Sequence, residues 1–394
     1  MVAYYTLMVR LISALSLVAA LLVQAAPADD AWPRVAALYH QRLQPTGIVG
    51  SSLVFVSNGE IAHRAFEGYQ DLATRRPVDE ETIYHWASIT KTFTGIAIMQ
   101  LRDRGLLALD DPAVKYVPEL REVHNPFGDI SQVTIRHLMT HSAGFRAGTW
   151  PWGGDQPWHP FEPTRWAQLL AMMPYTELQF RPGTKYSYSN PGVIFLGRII
   201  ELFSGDDYET YINKNIFMPL GMTRSFFDRA PYHLLAHRSH SYAATDTGTT
   251  EQRFDFDTGI TVSNGGLNAP FGDMAKYLAF LIGGNDVILK QSSLDEMFTP
   301  QIRARDGEGG SGEDVQAGLS CFIERHGGIE LVGHSGDQNG FISHLYIHRP
   351  SRSGYIVSFN TDVSSKRDPR HTTRAIDDDV RDAIAHEFWT GGGR

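Results

Sequence analysis

The strand-like segments of this chain lie near its two ends, and helical or irregular patterns fill the middle. Near the N-terminus, runs at 51–56 and 61–68 flank Asn58-Gly59, a dipeptide typical of a two-residue hairpin turn. Four further strand patterns, joined by short turns, lie at 318–324, 329–335, 341–348 and 355–360. This arrangement predicts an α+β fold, in which both chain ends build one antiparallel sheet that is flanked by helices and carries an inserted, mostly helical subdomain.

Helical spacing of apolar residues predicts the remaining elements. The predicted helices span 32–43, 88–101, 134–141, 191–203, 271–281 and 375–388. Asn190 is expected to cap the helix that starts at Pro191, and Gly105 and Gly205 are expected to end their helices. A segment rich in Trp, Pro and Gly at 149–163 reads as a loop.

Size and composition fit a globular protein with a large core. Of 394 residues, 42% are hydrophobic and 20% are charged, so we expect one domain over 27–394 made of two packed parts. The sheet part is predicted at 27–84 and 310–394, and the helical part at 85–309. A formal net charge of −9 argues against nucleic acid or an anionic membrane surface as partner. The single cysteine, Cys321, rules out an internal disulfide and is expected to be a buried strand residue.

The first 26 residues read as an export signal. Arg10 precedes an apolar run from Leu11 to Val23, and small residues follow at Ala25 and Ala26. The run is short for a bilayer span, so we expect cleavage and a periplasmic or secreted protein without a stable membrane span. Met8 as the true start, and a retained anchor, stay open as alternatives.

Three short sequence motifs contain side chains suited to nucleophilic or acid–base chemistry. Ser88 precedes Lys91 by three residues where a helix begins, so both side chains share one face of its first turn and the amine can reach the hydroxyl. Tyr188-Ser189-Asn190 lies directly before another helix. His334-Ser335-Gly336 ends one strand and precedes a turn.

The order and spacing of these groups resemble the serine β-lactamase-related, penicillin-binding-protein-like family, most closely its class C β-lactamase, D-peptidase and esterase branch. The matching motifs are S-x-x-K at 88–91, Y-x-N at 188–190 and K/H-x-G at 334–336. Flanking segments with the same resemblance lie at 109–112, 134–144 and 265–267. The resemblance covers nearly the whole chain after the signal.

Together with the predicted signal, this resemblance implies an exported serine hydrolase that needs no cofactor and no metal. Ser88 would form an acyl-enzyme with an ester or amide substrate, and Lys91 and Tyr188 would serve as general base and acid, with Lys91 favouring the Tyr188 phenolate. Asn190 would contact the substrate or orient Lys91. His334 and Gly336 would lie on a strand that pairs with a small-molecule or peptide substrate, and Asp337 would supply the second oxyanion N–H beside that of Ser88.

His334 stands where β-lactamases usually carry lysine. A lysine there is a fixed cation for a substrate carboxylate, whereas histidine is only partly charged near neutral pH. An ester or aminopeptidase-like substrate therefore fits better than a β-lactam, although carboxylesters, D-amino-acid peptides and β-lactams all stay open.

Other motifs in the sequence suggest different sites or roles. Gly333 to Asp337 imitates the G-x-S-x-G elbow of α/β-hydrolases around Ser335, but a strand rather than a helix follows. A non-enzymatic alternative is a penicillin or cell-wall-fragment sensor that is acylated and never turns over. His137 and His141 are expected to be structural, and the pair His237-x-x-His240 is a weak metal signal.

Overall fold

The computed structural model describes residues 31–146, 163–252, 258–304, 314–363 and 368–390. The predicted signal at 1–26 lies outside the described residues, and so does the predicted loop at 149–163 apart from its last residue. Within the described ranges, no helix combines the length and the apolar character that a membrane crossing requires.

The described α-helices follow the predicted order. In chain order they are α1 Ala31–Leu43, α2 Thr90–Asp103, α3 Ile135–Met139, α4 Trp166–Met172, α5 Asn190–Ser204, α6 Tyr208–Ile212, α7 Met218–Leu220, α8 Val262–Gly265, α9 Phe271–Gly283, α10 Gln291–Met297 and α11 Thr373–Ile384. Short 3₁₀ turns join several of them, and a π-helical turn, Ala385–Trp389, extends α11. Gly105 and Gly205 follow their helices with φ of 74° and 70°, the left-handed conformation that suits a helix end.

The described strands form three sheets. In chain order they are β1 Gly50–Ser57, β2 Glu60–Asp71, β3 Arg76–Pro77, β4 Ile83–His85, β5 Phe226–Phe227, β6 Ser241–Thr245, β7 Gly248–Gln252, β8 Leu267–Pro270, β9 Ile302–Arg303, β10 Asp314–Ala317, β11 Phe322–His326, β12 Ile329–Gln338, β13 Phe341–His348, β14 Ser353–Phe359 and β15 Thr361–Asp362. The main sheet has nine strands in the order β3-β2-β1-β14-β13-β12-β11-β10-β9.

The main sheet confirms the predicted assembly from both chain ends. The N-terminal strand β1 pairs antiparallel with the C-terminal strand β14, from Ser51 opposite Phe359 to Ser57 opposite Ser353. Strand β1 also pairs with β2 across the predicted Asn58-Gly59 turn. The α+β fold class is therefore correct.

One predicted strand was wrong. The run at 318–324 is interrupted, because β10 ends at Ala317 and β11 begins at Phe322. Ser320 has a left-handed φ of 61°, and a Cβ on Gly318 would stand 2.4 Å from Met297 O, so a tight turn separates the strands. Cys321 lies in this turn rather than in a strand, although it is buried as expected, and burial raises the pKa of its thiol to about 12.

The two faces of the main sheet cover separate cores. One face, which includes Leu345 and Ile356, packs on the helical part of the chain around α2, α5 and α9. The opposite face, which includes Tyr355 and Val357, packs on α1 and α11. The strands therefore bury both faces, and the catalytic motifs lie on the side of the helical part.

Candidate active site

A short turn between β4 and α2 presents Ser88. Trp86 anchors its start, because the Trp86 N–H donates to Leu267 O at 2.8 Å and its indole N–H donates to Ala269 O at 2.9 Å. Ala87 then adopts a left-handed φ of 46°, a conformation that costs a non-glycine residue about 1–2 kcal/mol. Ser88 follows in a 3₁₀ turn that runs directly into α2. Its N–H belongs to the first turn, whose donors have no intrahelical acceptor, and it is available to an oxyanion.

Lys91 is a buried amine in contact with the Ser88 hydroxyl. Its Nζ lies 2.9 Å from Ser88 Oγ and donates to Asn264 O at 2.7 Å, and only 1% of the residue surface is exposed. Burial lowers the pKa of Lys91 well below its ordinary value, since desolvation disfavours the ammonium. The structure thus brings together the predicted nucleophile and the predicted base, and desolvation alone accounts for the lowered pKa.

Tyr188 closes the other side of Ser88. Its hydroxyl hydrogen-bonds the Ser88 side chain, and Lys91 Nζ lies 4.9 Å from the centroid of its ring. The residue is half-buried, yet protein atoms enclose its phenol and raise its pKa, an effect that the hydrogen bond to Ser88 only partly offsets. The expected phenolate is therefore not favoured, and Tyr188 rests as a neutral phenol that can donate a proton.

His141, which was expected to be structural, lies against the Tyr188 ring. The two rings are 4.4 Å apart, and His141 Nδ1 accepts a hydrogen bond from the Ser189 N–H at 3.1 Å. Burial, together with the nearby Lys91, lowers the pKa of His141 well below 6.5, so the ring is a neutral acceptor. His141 positions the Tyr188 segment, and nothing in its local sequence distinguishes it from His137, whose Nδ1 caps α3.

The α5 entrance corrects one expectation. Ser189, not Asn190, caps this helix, because Ser189 Oγ accepts from the Gly192 N–H at 3.1 Å. Asn190 is the first helical residue, and its buried Oδ1 has no hydrogen-bond partner within the described part of the chain. The Asn190 side chain therefore does not cap α5.

His334 faces the same cluster from β12. Its Nδ1 donates to Ser335 O at 2.6 Å, which leaves Nε2 as a buried acceptor without a partner among the described residues. The His334 ring lies 4.9 Å from Phe322 and 6.3 Å from Tyr188. Burial, and then the charge of Lys91, lowers the pKa of His334 to about 3.

Gly336 and Asp337 bring β12 against the Ser88 turn. A Cβ on Gly336 would stand 2.2 Å from Trp86 O, so only glycine permits this approach. Gln338 and Phe341 flank a two-residue turn, so they form a hydrogen-bonded pair. Pair types alternate along an antiparallel ladder, so the next pair, Asp337 with Ile342, is non-hydrogen-bonded. The Asp337 N–H therefore points away from β13. The Asp337 carboxylate instead pairs with Arg374 at 2.7 Å in a half-exposed ion pair.

The rival sites do not form. Ser335 lies inside strand β12, which contradicts a nucleophile elbow at that position. His237 faces Glu81 at 3.3 Å and His240 faces Glu251 at 2.8 Å, each in a separate pair. Across the described ranges, no group of three or more His, Cys, Asp or Glu side chains is arranged to hold a metal ion.

Comparison with known proteins was made at the level of families and of individual relatives. The family model described as Beta-lactamase matches residues 35–379. Protein flp of Staphylococcus aureus strain COL is 25% identical over 332 residues, which cover 84% of this chain and 64% of that protein. This chain therefore spans less than two thirds of the length of that curated relative.

Two solved structures extend the comparison. The octameric penicillin-binding protein homologue from Pyrococcus abyssi is 30% identical, with a TM-score of 0.73 over 84% of this chain and 74% of that chain. The D-amino acid amidase from Ochrobactrum anthropi SV3, in complex with D-phenylalanine, has a TM-score of 0.74 over 91% of this chain and 99% of its own. At 22% identity the amidase shows similarity of fold alone.

Proposed function

Because this chain belongs to the beta-lactamase family of serine hydrolases, we propose that it hydrolyses an ester or amide bond through an acyl-enzyme on Ser88. The observation that carries the proposal is the 2.9 Å contact between Ser88 Oγ and the buried amine of Lys91. Burial lowers the pKa of Lys91, so its amine is neutral and carries a lone pair over a wider pH range than the amine of an exposed lysine.

Acylation follows from these contacts. Ser88 Oγ attacks the substrate carbonyl carbon while its proton passes to Lys91 Nζ, and the carbonyl oxygen becomes an oxyanion held by the N–H groups of Ser88 and Asp337. Tyr188, a neutral phenol beside Ser88, then donates a proton to the departing oxygen or nitrogen and is reprotonated by the Lys91 ammonium. Deacylation repeats these steps in reverse order, with water as the nucleophile.

Charge at His334 bears on the substrate. A neutral imidazole with a pKa of about 3 supplies no fixed cation for a carboxylate next to the scissile bond. We therefore propose that uncharged esters and amides are better substrates than β-lactams or peptides with a free C-terminal carboxylate.

The test is a substrate panel on the protein that starts after the predicted signal. The panel comprises short p-nitrophenyl esters, D-amino acid amides, D-Ala-D-Ala peptides and nitrocefin. We expect ester or amide turnover that Ser88→Ala abolishes and that Ser335→Ala, a serine variant in the neighbouring strand, retains. Nitrocefin turnover well above that of esters would contradict the substrate proposal, and a stoichiometric burst without steady state would point to a sensor.

Export is a separate proposal. It rests on the charge, apolar run and small residues of the first 26 positions. Expression of the full chain with N-terminal sequencing of the fractionated protein should find a new terminus close to Ala25 or Ala26 outside the cytoplasm. A protein that stays intact in the cytoplasm would contradict it.

A further inference from the structure

His85 is a buried polar side chain that the three motifs do not include. It ends β4, three residues before Ser88, and only 1% of its surface is exposed. Its ring also contacts Phe341, at 6.1 Å between centroids. A buried imidazole at this place needs hydrogen-bond partners, since an unpaired buried polar group is destabilising.

Two amide side chains meet its two ring nitrogens. His85 Nδ1 lies 3.2 Å from Asn268 Oδ1, and Nε2 lies 3.0 Å from Gln338 Oε1. Burial lowers the pKa of His85 to about 4, so the ring is neutral and carries one N–H. Both partner atoms are amide oxygens, which only accept, so the single N–H bonds one of them; on Nε2 it donates to Gln338 Oε1, the shorter of the two contacts. Removing the ring nitrogens removes this hydrogen bond.

These contacts join the two halves of the oxyanion hole. Gln338 directly follows Asp337, whose N–H points away from β13, and the same imidazole lies at the start of the turn that carries the Ser88 N–H. The close approach of Gly336 to Trp86 O sets the spacing of strand and turn, but it does not prevent them from sliding. The hydrogen bond between the His85 ring and the Gln338 side chain is directional, so it resists this sliding.

We propose that His85 is a positioning residue that holds the end of β12, and with it the Asp337 N–H, in register with the Ser88 turn. The inference rests on the proposed acyl-enzyme function. An oxyanion donor contributes only when it lies 2.7–3.1 Å from the charge, and a misplacement of about 1 Å can cost roughly 100-fold in rate. His85 acts through this distance and does not itself touch the reacting atoms.

The experiment compares His85→Phe, Gln338→Met and the double variant on a p-nitrophenyl ester. Phenylalanine keeps the ring that packs on Phe341, and methionine keeps the length of Gln338, so each change removes hydrogen bonding with little change in volume. We expect kcat to fall about 10- to 100-fold in each single variant with KM within threefold, and the double variant to fall no further.

Three measurements separate positioning from general stability. Phenylboronic acid, which forms a tetrahedral adduct on a serine, should bind more weakly in proportion to kcat. Backbone hydrogen exchange in the peptide 335–341 of folded His85→Phe should be at least tenfold faster than in the parent protein. His348→Phe, at the far end of β13 where Nδ1 contacts Ser351 Oγ at 2.7 Å, is the matched control and should keep the parental kcat.

Different outcomes distinguish this inference from the proposed function. Unchanged kcat in His85→Phe, or losses that add fully in the double variant, would overturn the positioning role while leaving Ser88 catalysis intact. If the parent protein hydrolyses nothing in the panel, the proposed function fails. Hydrogen exchange then decides for His85, because unchanged protection of 335–341 would overturn its role without reference to activity.

Discussion

Replacement of Lys91 by methionine tests the central geometry. The change keeps an unbranched apolar stem in the buried site and removes the nitrogen that contacts Ser88 Oγ and Asn264 O. Loss of a positioned general base costs roughly 10²- to 10⁴-fold in rate, so we expect kcat/KM for the best ester to fall by about 10³-fold or more. Lys290→Met, which alters an exposed lysine, should leave kcat/KM unchanged.

Stability should respond in a way that an ordinary core substitution would not. Asn264 O loses its donor, which costs about 1–3 kcal/mol, but the variant also removes an amine whose burial is unfavourable. In the folded protein the pKa of Lys91 lies well below its ordinary 10.5, so the unfolded chain binds the proton more readily. Between the lowered pKa of the folded protein and the ordinary pKa of 10.5, the free energy of unfolding of the parent protein therefore rises with pH. This residue contributes up to about 1.4 kcal/mol per pH unit.

Urea unfolding at pH 7.5 and 9.5 measures this difference. The difference in free energy of unfolding between the parent protein and Lys91→Met cancels the contributions of the other titrating groups. This remainder should grow by up to about 2.7 kcal/mol between the two pH values. A remainder that does not change with pH would show that Lys91 is an ordinary ammonium in the folded protein. That result, or a variant that keeps more than a tenth of the activity, would refute the assignment of Lys91 as base.

Three further predictions concern the surroundings of Ser88. Gly336→Ala places a methyl group 2.2 Å from a main-chain oxygen, so we expect a loss of about 1–3 kcal/mol in urea unfolding and at least tenfold in kcat; Gly272→Ala, with open space around it, should be neutral or slightly stabilising. Ser189→Ala and Thr372→Ala each remove a helix cap and should cost about 1 kcal/mol, but only Ser189→Ala should lower kcat. Below pH 6.5, His334 stays neutral in the folded protein, where its pKa is lowered to about 3, but it is protonated in the unfolded chain. The free energy of unfolding should therefore fall by up to about 1.4 kcal/mol per pH unit from this residue as the pH drops. His334→Phe should flatten that slope in urea unfolding.

The fold could be predicted from sequence because its signals are local. The Asn58-Gly59 turn fixes the first hairpin, and strand-like runs at both chain ends, separated by helical patterns, indicate a sheet built from the two ends. The three motifs, read in order, led to the correct family. The interruption at Gly318 to Cys321 could not be predicted, because it depends on the contact of Gly318 with Met297 O, a residue on another element.

The sequence led to residues that the structure brings together, but not to the charge state of Tyr188. Ser88, Lys91 and Tyr188 lie together as the resemblance implied, whereas the state of each group depends on how much protein surrounds it. Burial accounts for the neutral phenol of Tyr188, and burial is a property of the assembled cleft rather than of the Y-x-N motif. The place of His141 beside Tyr188 could not be predicted either, since its contact with Tyr188 spans a long stretch of chain.

The neutrality of His334 matters for Lys91 as much as for the substrate. The charge of Lys91 lowers the pKa of both His141 and His334, and the coupling is mutual, so a proton on either ring would lower the pKa of Lys91 in turn. Burial keeps both rings unprotonated at neutral pH, so neither histidine competes with Lys91 and Tyr188 for the proton that the proposed mechanism transfers. A fixed cation at position 334 would add a carboxylate anchor, but it would also place a second positive charge close to Lys91 as that residue accepts the Ser88 proton. In the proposed mechanism, the neutral histidine supplies no cation for a carboxylate, and the Lys91 ammonium that acylation would form meets no second charge at position 334.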